Sequence, residues 1–237
     1  MVRGILISGA ALEPATHAQS VLANNLANAS AAGFRQDRIG FEQVAARSSS
    51  SSGVVGTPAP QLFAALDSRP GAYEVTDRPF DLAIQGEGFF VVDTPSGERF
   101  TRAGHFQRGE DGTLVTSQGF PLLGEGGALV MPDGAPCRVT PSGELRAGEQ
   151  LVGRVRVVRF EDPAQLRHAG GGLLDSDGEP LPATESRVLQ GVLEGPNVQA
   201  LQVLVEMLTL TRHFEMNQKA FQAQDESLGR LLDWAQA

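Results

Sequence analysis

Apolar side chains recur at helical spacing at the beginning of the chain. From Val2 to about Ala32, apolar or small residues lie three or four positions apart, which is typical of an amphipathic helix with one apolar seam. Pro14 fits this helix only at a kink or close to the helix start, and Gly33 is a good stop signal. The seam consists of Ile5, Ser8, Leu12, Ala15, Gln19, Leu22, Leu26 and Ala29.

The end of the chain has a second and longer apolar seam. Asn197 follows the helix-breaking pair Gly195-Pro196 and is predicted to cap a helix that continues to Ala237 without a proline. The seam keeps its spacing long enough for a coiled-coil strand; packing on the protein's own core is the alternative. The seam consists of Ala200, Val203, Met207, Leu210, Phe214, Asn217, Phe221, Gln224, Leu228 and Leu231.

Both seams need a surface to pack on, because an amphipathic helix is not stable alone in water. Burying the large apolar side chains of the second seam, at about 1.5–3 kcal/mol each, represents a gross stabilisation of roughly 9–18 kcal/mol. The two helices therefore pair with each other, pack on copies in an assembly, or do both.

Between the two ends, the chain changes to short β-like runs separated by Gly, Pro and Asp. The serine run at residues 48–52, followed by Pro58 and Pro60, indicates an extended connector. The predicted strands are residues 81–85, 89–93, 98–102, 113–116, 128–131, 155–160 and 187–190. Turns are predicted at Ser96-Gly97, Asp111-Gly112 and Ser142-Gly143.

These patterns predict an α+β fold made of four segments. Residues 1–44 form an N-terminal helix, residues 45–75 a Ser/Pro-rich connector, residues 76–190 a central all-β domain, and residues 191–237 a C-terminal helix. The long terminal helices form a coiled-coil-like domain of their own. We expect the β domain to fold by itself, because it has its own strands and turns.

Composition and charge exclude several classes of function. The chain has 19 basic and 28 acidic side chains and a formal charge of −9, which argues against nucleic acid or an anionic membrane surface as the main partner. No apolar run approaches the roughly 20 residues that span a bilayer, and the apolar run at the start is too short for a secretory signal peptide. The single Cys137 excludes an internal disulfide and a Cys-cluster metal site.

The candidate catalytic groups do not form a constellation. His17, His105, His168 and His213 are scattered along the chain, without the spacing of metal ligands. The sequence has no nucleophile elbow and no phosphate-binding Gly-Lys-Ser/Thr motif. We therefore expect a protein that is not an enzyme and that has no cofactor and no metal site.

Three groups of motifs make the sequence recognisable. They are residues 22–30 with Gly33-Phe34-Arg35, residues 81–92 with 100–106, and residues 193–198 with 207–217. Together these ranges contain about 50 of the 237 residues. In this order they closely resemble the motifs of the bacterial flagellar rod and hook proteins.

The resemblance implies a structural subunit of the flagellar basal-body rod, most like a proximal rod subunit. In this family, helices at both chain ends build the axial structure, and β domains lie outside them. Such a subunit self-assembles through its terminal helices into the drive shaft that transmits torque. The implied location is the rod in the periplasmic space, reached through the flagellar type III export apparatus without a cleaved signal peptide. The implied partners are other rod subunits and that apparatus, with no nucleic acid and no membrane insertion.

The resemblance and the seams together predict an assembly interface. Asparagine is a poor helix former, so we expect one of two roles for the cluster in residues 24–28. Either its amides bond to backbone or to a neighbouring subunit at a buried interface and fix register there, or the cluster serves the fraying and capping of a helix end. Gly33 is expected to supply a left-handed turn and Phe34 an apolar anchor. The predicted interface residues are Leu22, Asn24, Asn25, Leu26, Asn28, Gly33, Phe34, Met207, Leu210, Phe214, Asn217, Phe221, Leu228 and Leu231.

A second set of family positions lies in the β domain. Gly86 and Gly88 permit a bulge ahead of Phe89 and Phe90. Successive side chains of a strand point to opposite faces, so one ring is expected to face outward as an interface candidate. The set consists of Asp81, Gly86, Gly88, Phe89, Phe90, Arg102, Gly104 and Phe106.

Other functions remain open at this point. The short connector and the small central region favour a proximal-rod subunit; a distal-rod or other rod/hook-type axial protein is the alternative within the family. A secreted β-domain binding protein with oligomerising helical ends is the alternative outside it. The sequence also leaves open whether the β domain contacts peptidoglycan or a bushing ring.

Overall fold

The computed structural model describes residues 12–44 and 59–236, which form two compact units. The helical unit contains residues 12–27, 37–44, 59–65 and 199–236, and the β unit contains residues 28–36 and 66–198. The chain therefore passes from one unit to the other at 27/28, 36/37, 65/66 and 198/199.

The helical unit is built from two helices and a two-stranded sheet. Helix α1 is Leu12–Ala27 and helix α2 is Ala200–Gln236. Strands β1 (Asp37–Val44) and β2 (Ala59–Leu66) pair with each other, and α1 contacts both α2 and β1. Pro14 lies in the first turn of α1, where a missing N–H is tolerated because the first N–H groups of a helix have no partner inside it.

Helix α1 buries one face, as the apolar pattern predicts, but the face is shifted. Its buried residues are Ala18, Val21, Leu22 and Asn25, spaced three or four positions apart. Leu22 of the predicted seam belongs to this face, whereas Leu26 is only half-buried.

The N-terminal helix ends earlier than predicted, and the part of the prediction on residues 1–11 lies outside the described residues. Helix α1 ends at Ala27, and a turn follows well before Gly33. Residues 37–44, assigned to a helix above, form β1, because Ile39 and Phe41 alternate there with polar residues or glycine at the period of a strand. The predicted connector likewise contains β2, and its serine run at residues 48–52 lies outside the described residues.

The β unit is built from short strands. They are β3 Tyr73–Val75, β4 Leu82–Gln85, β5 Phe89–Thr94, β6 Gly97–Thr101, β7 Phe106–Arg108, β8 Leu114–Thr116, β9 Leu123–Gly124, β10 Gly127–Ala128, β11 Cys137–Val139, β12 Glu144–Ala147, β13 Gln150–Arg154, β14 Val157–Arg159, β15 Leu166–Gly170, β16 Leu173–Ser176, β17 Leu181–Pro182, β18 Arg187–Gln190 and β19 Val192–Glu194. The chain as described is thus mostly β, with a central β unit and a C-terminal helix of 37 residues.

All strand pairs of the β unit are antiparallel. Six strands form one sheet in the order β15-β16-β6-β5-β14-β17, and three form the sheet β11-β12-β13. The pairs β7–β8, β9–β10, β4–β18 and β3–β19 complete the unit. The predicted turns Ser96-Gly97, Asp111-Gly112 and Ser142-Gly143 join β5 to β6, β7 to β8 and β11 to β12. The predicted strand at residues 128–131 is replaced by the end of β10 and an isolated bridge at Val130.

Two apolar clusters cover the two faces of β5. Phe90 belongs to the larger cluster and meets the Phe106 ring edge to face, 5.4 Å between centroids. Phe89 belongs to the other cluster, where its ring centroid lies 6.2 Å from that of Phe160. The expectation that one of these rings faces solvent is therefore wrong, because side chains of other strands cover both faces of the sheet.

The β unit is larger than residues 76–190, and this leads to a prediction about fragments. A fragment of residues 28–198 should unfold cooperatively. A fragment of residues 76–190 should be much less stable, because it lacks β3, β19 and the buried Phe34, and losing one buried Phe typically costs about 3–5 kcal/mol. Urea unfolding followed by circular dichroism measures both; equal midpoints would contradict the assignment of the outer segments to this unit.

Candidate functional site

The β unit encloses one carboxylate between two guanidinium groups. The Glu194 side chain has no exposed surface, and those of Arg35 and Arg102 are 2% and 4% exposed. Arg35 Nη2 lies 2.7 Å from Glu194 Oε1, and Arg102 Nη1 lies 3.1 Å from Glu194 Oε2. The backbone N–H of Gly71 donates to Oε1 at 3.0 Å. We call these three charged side chains the Glu194 hub.

Arg35 reaches the hub from the segment that follows α1. Gly33, two residues earlier, has a φ of +68°, and its backbone N–H donates to the Glu194 carbonyl at 2.7 Å. A Cβ atom at Gly33 would lie 2.1 Å from the backbone carbonyl carbon of Arg102. Both the left-handed backbone and the close approach therefore require glycine.

Arg102 reaches the hub from the residue after β6. Its Nη1 donates to the Ile84 carbonyl at 3.0 Å and its Nη2 to the Gly86 carbonyl at 2.6 Å. The guanidinium carbon also lies 5.4 Å from the centroid of the Phe89 ring, within the range of a cation–π interaction. Two other β-domain family positions, Gly86 and Phe89, therefore contact the Arg102 side chain.

Gly104 allows the chain after Arg102 to press against β4. The backbone N–H of Leu82 donates to the Gly104 carbonyl at 2.9 Å. A Cβ atom at Gly104 would lie 1.5 Å from the Leu82 carbonyl oxygen, so a side chain is excluded there.

The hub carries a net positive charge, because two guanidinium groups share one carboxylate. The backbone carbonyls and the Phe89 ring face described above place negative partial charge around Arg102, and the carbonyl of Arg69 accepts a hydrogen bond from Arg35 Nη1. Burial lowers the pKa of Arg102, and the charge of Glu194 opposes this shift. Arginine nevertheless stays protonated in proteins, so the excess charge is permanent.

A second carboxylate, Asp67, lies next to the hub segments. Its side chain is 5% exposed and accepts three hydrogen bonds from the Arg69 guanidinium, at 2.6 to 3.0 Å. Gln36 Nε2 also donates to it at 3.2 Å. Chiefly because of the Arg69 hydrogen bonds, the pKa of Asp67 is lowered from 3.8 to about 2.

Asp81 is a third buried carboxylate. It is 1% exposed and accepts a hydrogen bond from Thr76 Oγ1 at 2.7 Å, and His105 Nδ1 lies 2.7 Å from its other oxygen. Its backbone carbonyl accepts from Gly191 at 2.8 Å. Asp81 therefore joins the residues around β4 to the segment between β18 and β19.

The hub links segments that are far apart in the sequence. It joins residues 33–35, 69–71, 84–86, 102 and 194 through ion pairs and backbone hydrogen bonds.

Burial raises the pKa of the Cys137 thiol to about 11, so this thiol is protonated at neutral pH. Within residues 12–44 and 59–236, no group of three or more His, Cys, Asp or Glu side chains is placed to hold a metal ion.

The predicted N-terminal interface residues are found in several environments. Asn25 is 2% exposed, and its side chain accepts from the Asp37 N–H at 3.0 Å and donates to the Asp37 carbonyl at 2.8 Å. Of the two roles considered for the asparagine cluster, hydrogen bonding to backbone applies to Asn25. Asn24 is exposed, and Asn28 is half-buried in the turn after α1.

The predicted anchor Phe34 is buried within the β unit. It is 3% exposed, and its ring stacks on that of His168 with 5.0 Å between centroids. This packing, together with the left-handed turn at Gly33, holds the segment that carries Arg35.

The predicted C-terminal interface residues lie on the less exposed face of α2. Val203 is buried, Met207, Leu210 and Phe214 are half-buried, and Asn217 is exposed. Phe221, Leu228 and Leu231 lie in the part of α2 whose side chains are not described. The predicted seam is therefore the inner face of the first four turns of α2.

The opposite face of α2 carries a second apolar stripe, which the sequence analysis missed. Leu201, Leu204, Val205 and Leu208 are 77%, 43%, 56% and 62% exposed. Their spacing places them within an arc of about 100° on the helix surface, roughly opposite the inner face. We call these four residues the α2 stripe.

Sequence reasoning also missed the hub and misread Asn197. Helix α2 begins at Ala200, and the Asn197 side chain bonds to Gln36, Asp67 and Arg69 instead of capping it. Glu194 forms an ion pair with a residue 92 positions away, and no local spacing reveals such a partner. The only available signal was that the family motifs around the hub each include an arginine or glutamate close to a glycine.

Comparisons with known proteins agree with this architecture. Residues 83–147 match the flagellar hook protein FlgE/F/G D1 domain, and residues 189–233 match the C-terminal domain of the flagellar basal body rod FlgEFG proteins. The chain is 34% identical over 229 residues to the flagellar basal-body rod protein FlgF of Salmonella typhimurium and 32% identical over 238 residues to that of Escherichia coli, with 90% of each chain covered. It is 29% identical over 247 residues to the flagellar basal-body rod protein FlgG of Bacillus subtilis, covering 90% of this chain and 91% of the relative.

The chain belongs to the flagellar basal-body rod protein family, and its role is that of a structural rod subunit. In the described part of the chain, neither helix is long and apolar enough to cross a membrane.

The hub leads to a prediction for Glu194→Gln. This change leaves two buried guanidinium groups without a carboxylate, which should lower the free energy of unfolding by about 3–5 kcal/mol. Glu98→Gln is the control; it breaks the half-exposed 2.6 Å pair with Arg156 and should cost less than about 1 kcal/mol. Urea unfolding of the full chain measures both. Similar losses for the two variants would show that burial of the hub charges has no special energetic role.

Asp67 leads to a prediction about pH. Its lowered pKa stabilises the folded chain above about pH 4, and this stabilisation is lost as the pH falls toward 2. Because Arg69 is exposed and screened by solvent, the loss should be about 1 kcal/mol. The difference in unfolding free energy between wild type and Asp67→Asn, measured from pH 5 to pH 2.5, should shrink by this amount. A difference that does not change with pH would contradict the assignment.

Proposed function

We propose that the chain is a proximal-rod subunit that assembles with neighbouring rod subunits through its terminal helices. The observation that supports this proposal is the α2 stripe. It is an exposed apolar surface on a long helix that begins two residues after the end of the β unit in the sequence. For the proximal position, the support is that identity to the FlgF relatives, at 31–34%, exceeds that to the FlgG relatives, at 27–29%. A distal-rod subunit is the alternative within the family.

The two faces of α2 pack against different partners. The inner face, with Val203 buried and Met207 half-buried, packs within the chain, where α1 contacts α2. The α2 stripe on the other face takes a helix of the next subunit. The coiled-coil-like axial domain is thus made within one chain and between chains.

From the size of the α2 stripe we expect a subunit that assembles through contacts with several neighbours. Burying four half-exposed aliphatic side chains contributes roughly 4–7 kcal/mol, whereas association costs about 4–15 kcal/mol of lost freedom. The gain from one stripe lies at the low end of this cost, so we expect an isolated pair of subunits to associate weakly at most. In a helical array each subunit contacts several others, and their contributions add.

The same proposal covers location and partners. The subunit acts in the rod of the flagellar basal body in the periplasmic space, leaves the cytoplasm through the flagellar type III export apparatus, and meets other proximal and distal rod proteins as partners. Its role is structural and not catalytic: it transmits torque as part of the drive shaft.

Leu208→Asp tests the proposal. Leu208 is 62% exposed, so the isolated subunit should keep its thermal stability, whereas a carboxylate buried between subunits is strongly unfavourable. In a strain that lacks the corresponding gene, the variant should be exported but should not restore swimming.

His213→Asp is the matched control. His213 is exposed on α2 and lies about 140° around the helix from Leu208, so this variant should swim like wild type. If Leu208→Asp also swims normally, the α2 stripe is not an assembly surface.

A further inference from the structure

One side chain of the β unit binds the chain next to three of the four passages between the units. The passages lie at 27/28, 36/37, 65/66 and 198/199. Asn197 lies one residue before Val198, where the 198/199 passage begins. It is hydrogen bonded to Gln36, which ends the β unit at the 36/37 passage, and to Asp67, the second residue after the 65/66 passage. All three residues belong to the β unit.

The Asn197 amide uses both its acceptor and its donor atoms for this purpose. Its Oδ1 accepts from the Gln36 backbone N–H at 2.8 Å. Its Nδ2 donates to the backbone carbonyls of Asp67 and Arg69, each at 3.0 Å. Its own backbone N–H donates to the Phe34 carbonyl at 3.2 Å. No other uncharged side chain of this size offers an acceptor and two donors.

The segments held by Asn197 are also bonded to one another. The Asp67 N–H donates to the Gln36 carbonyl at 2.8 Å, and the Gln36 side chain donates to the Asp67 carboxylate. The neighbouring residues Arg35 and Glu194 belong to the buried hub. The 36/37 and 198/199 passages therefore lie within a few residues of the buried Arg35–Glu194 pair, and the 65/66 passage lies next to the Asp67–Arg69 pair.

We propose that Asn197 and the hub beneath it form a mechanical junction that makes three chain passages act as one. This inference rests on the proposed function, in which torque passes along the subunit. A single peptide segment transmits tension but hardly any twist, because its backbone dihedrals rotate. Three segments tied side by side resist twist, and the tie is local to the β unit.

The first experiment measures the tie in the full-length chain without any flagellum. Asn197→Asp keeps the size and one acceptor but replaces the donors by an oxygen that faces two carbonyls. Hydrogen exchange at the Gln36 and Asp67 amides should become at least tenfold faster, while exchange at Val91 and Val92 in the core should be unchanged. Asn197→Ala, which removes the bonds without adding charge, should show the same pattern.

The control is Gln150→Glu, the same change from amide to carboxylate at an exposed position of β13. It should leave exchange at Gln36 and Asp67 at the wild-type rate. If Asn197→Asp and Asn197→Ala also leave those rates unchanged, there is no tie and the inference is overturned. If exchange rises equally throughout the β core, Asn197 serves global stability, and the inference is likewise overturned.

The second experiment measures the mechanical role. In a strain that lacks the corresponding gene, cells with Asn197→Ala should swim at low viscosity and lose at least twofold more speed than Gln150→Glu cells when viscosity is raised. Equal loss for the two variants would overturn the mechanical role. If the wild-type chain itself fails to restore swimming, the proposed function is wrong, and the exchange measurements still decide whether the tie exists.

Discussion

The buried carboxylate of Glu194 is the interaction on which the arrangement of the β unit depends. Its two arginine partners come from segments far apart in the chain, one before the first strand and one after β6. A charge in the protein interior is tolerated only when it is paired and hydrogen bonded, so the carboxylate forces these segments to meet in one register. Glycine is then required at two positions, because the backbone at Gly33 lies too close to that of Arg102, and the backbone at Gly104 too close to that of Leu82, for a side chain.

The hub is better understood as a device for geometry than as a source of stability. Two cations share one anion, and among the described residues the Nε atoms of Arg35 and Arg102 have no hydrogen-bond partner. A polar network that is only partly satisfied stabilises less than a well-packed apolar core would. The hub instead fixes the relative arrangement of the segments. Each ion pair and carbonyl contact is satisfied in one arrangement, whereas apolar packing tolerates several.

The sequence predicted the features that depend on local patterns. Strand-length runs bounded by turn residues identified β5 and β6, turn residues located three hairpins, and spacing identified the α2 seam, whose first four turns lie on the less exposed face of the helix. The errors have one common origin, which is dependence on distant partners. Residues 37–44 pair with a strand beyond the serine run, Phe89 is covered by a second layer of side chains, and Asn197 bonds to residues 130 and 161 positions away. Even the resemblance to rod proteins identified the hub motifs without indicating that they meet.

Asparagine side chains bind the backbone on both sides of the 36/37 passage. In the β unit, Asn197 binds the backbone near the passages; in the helical unit, Asn25 binds both backbone polar groups of Asp37, the first residue after the 36/37 passage. Asparagine disfavours a helix interior because its amide competes for backbone groups, and Asn25 uses that capacity to hold a neighbouring strand. An amide at each side of one passage restrains the chain where it leaves one unit and where it enters the other. These restraints consist of asparagine amides and backbone groups, so they use none of the apolar side chains with which the helices pack.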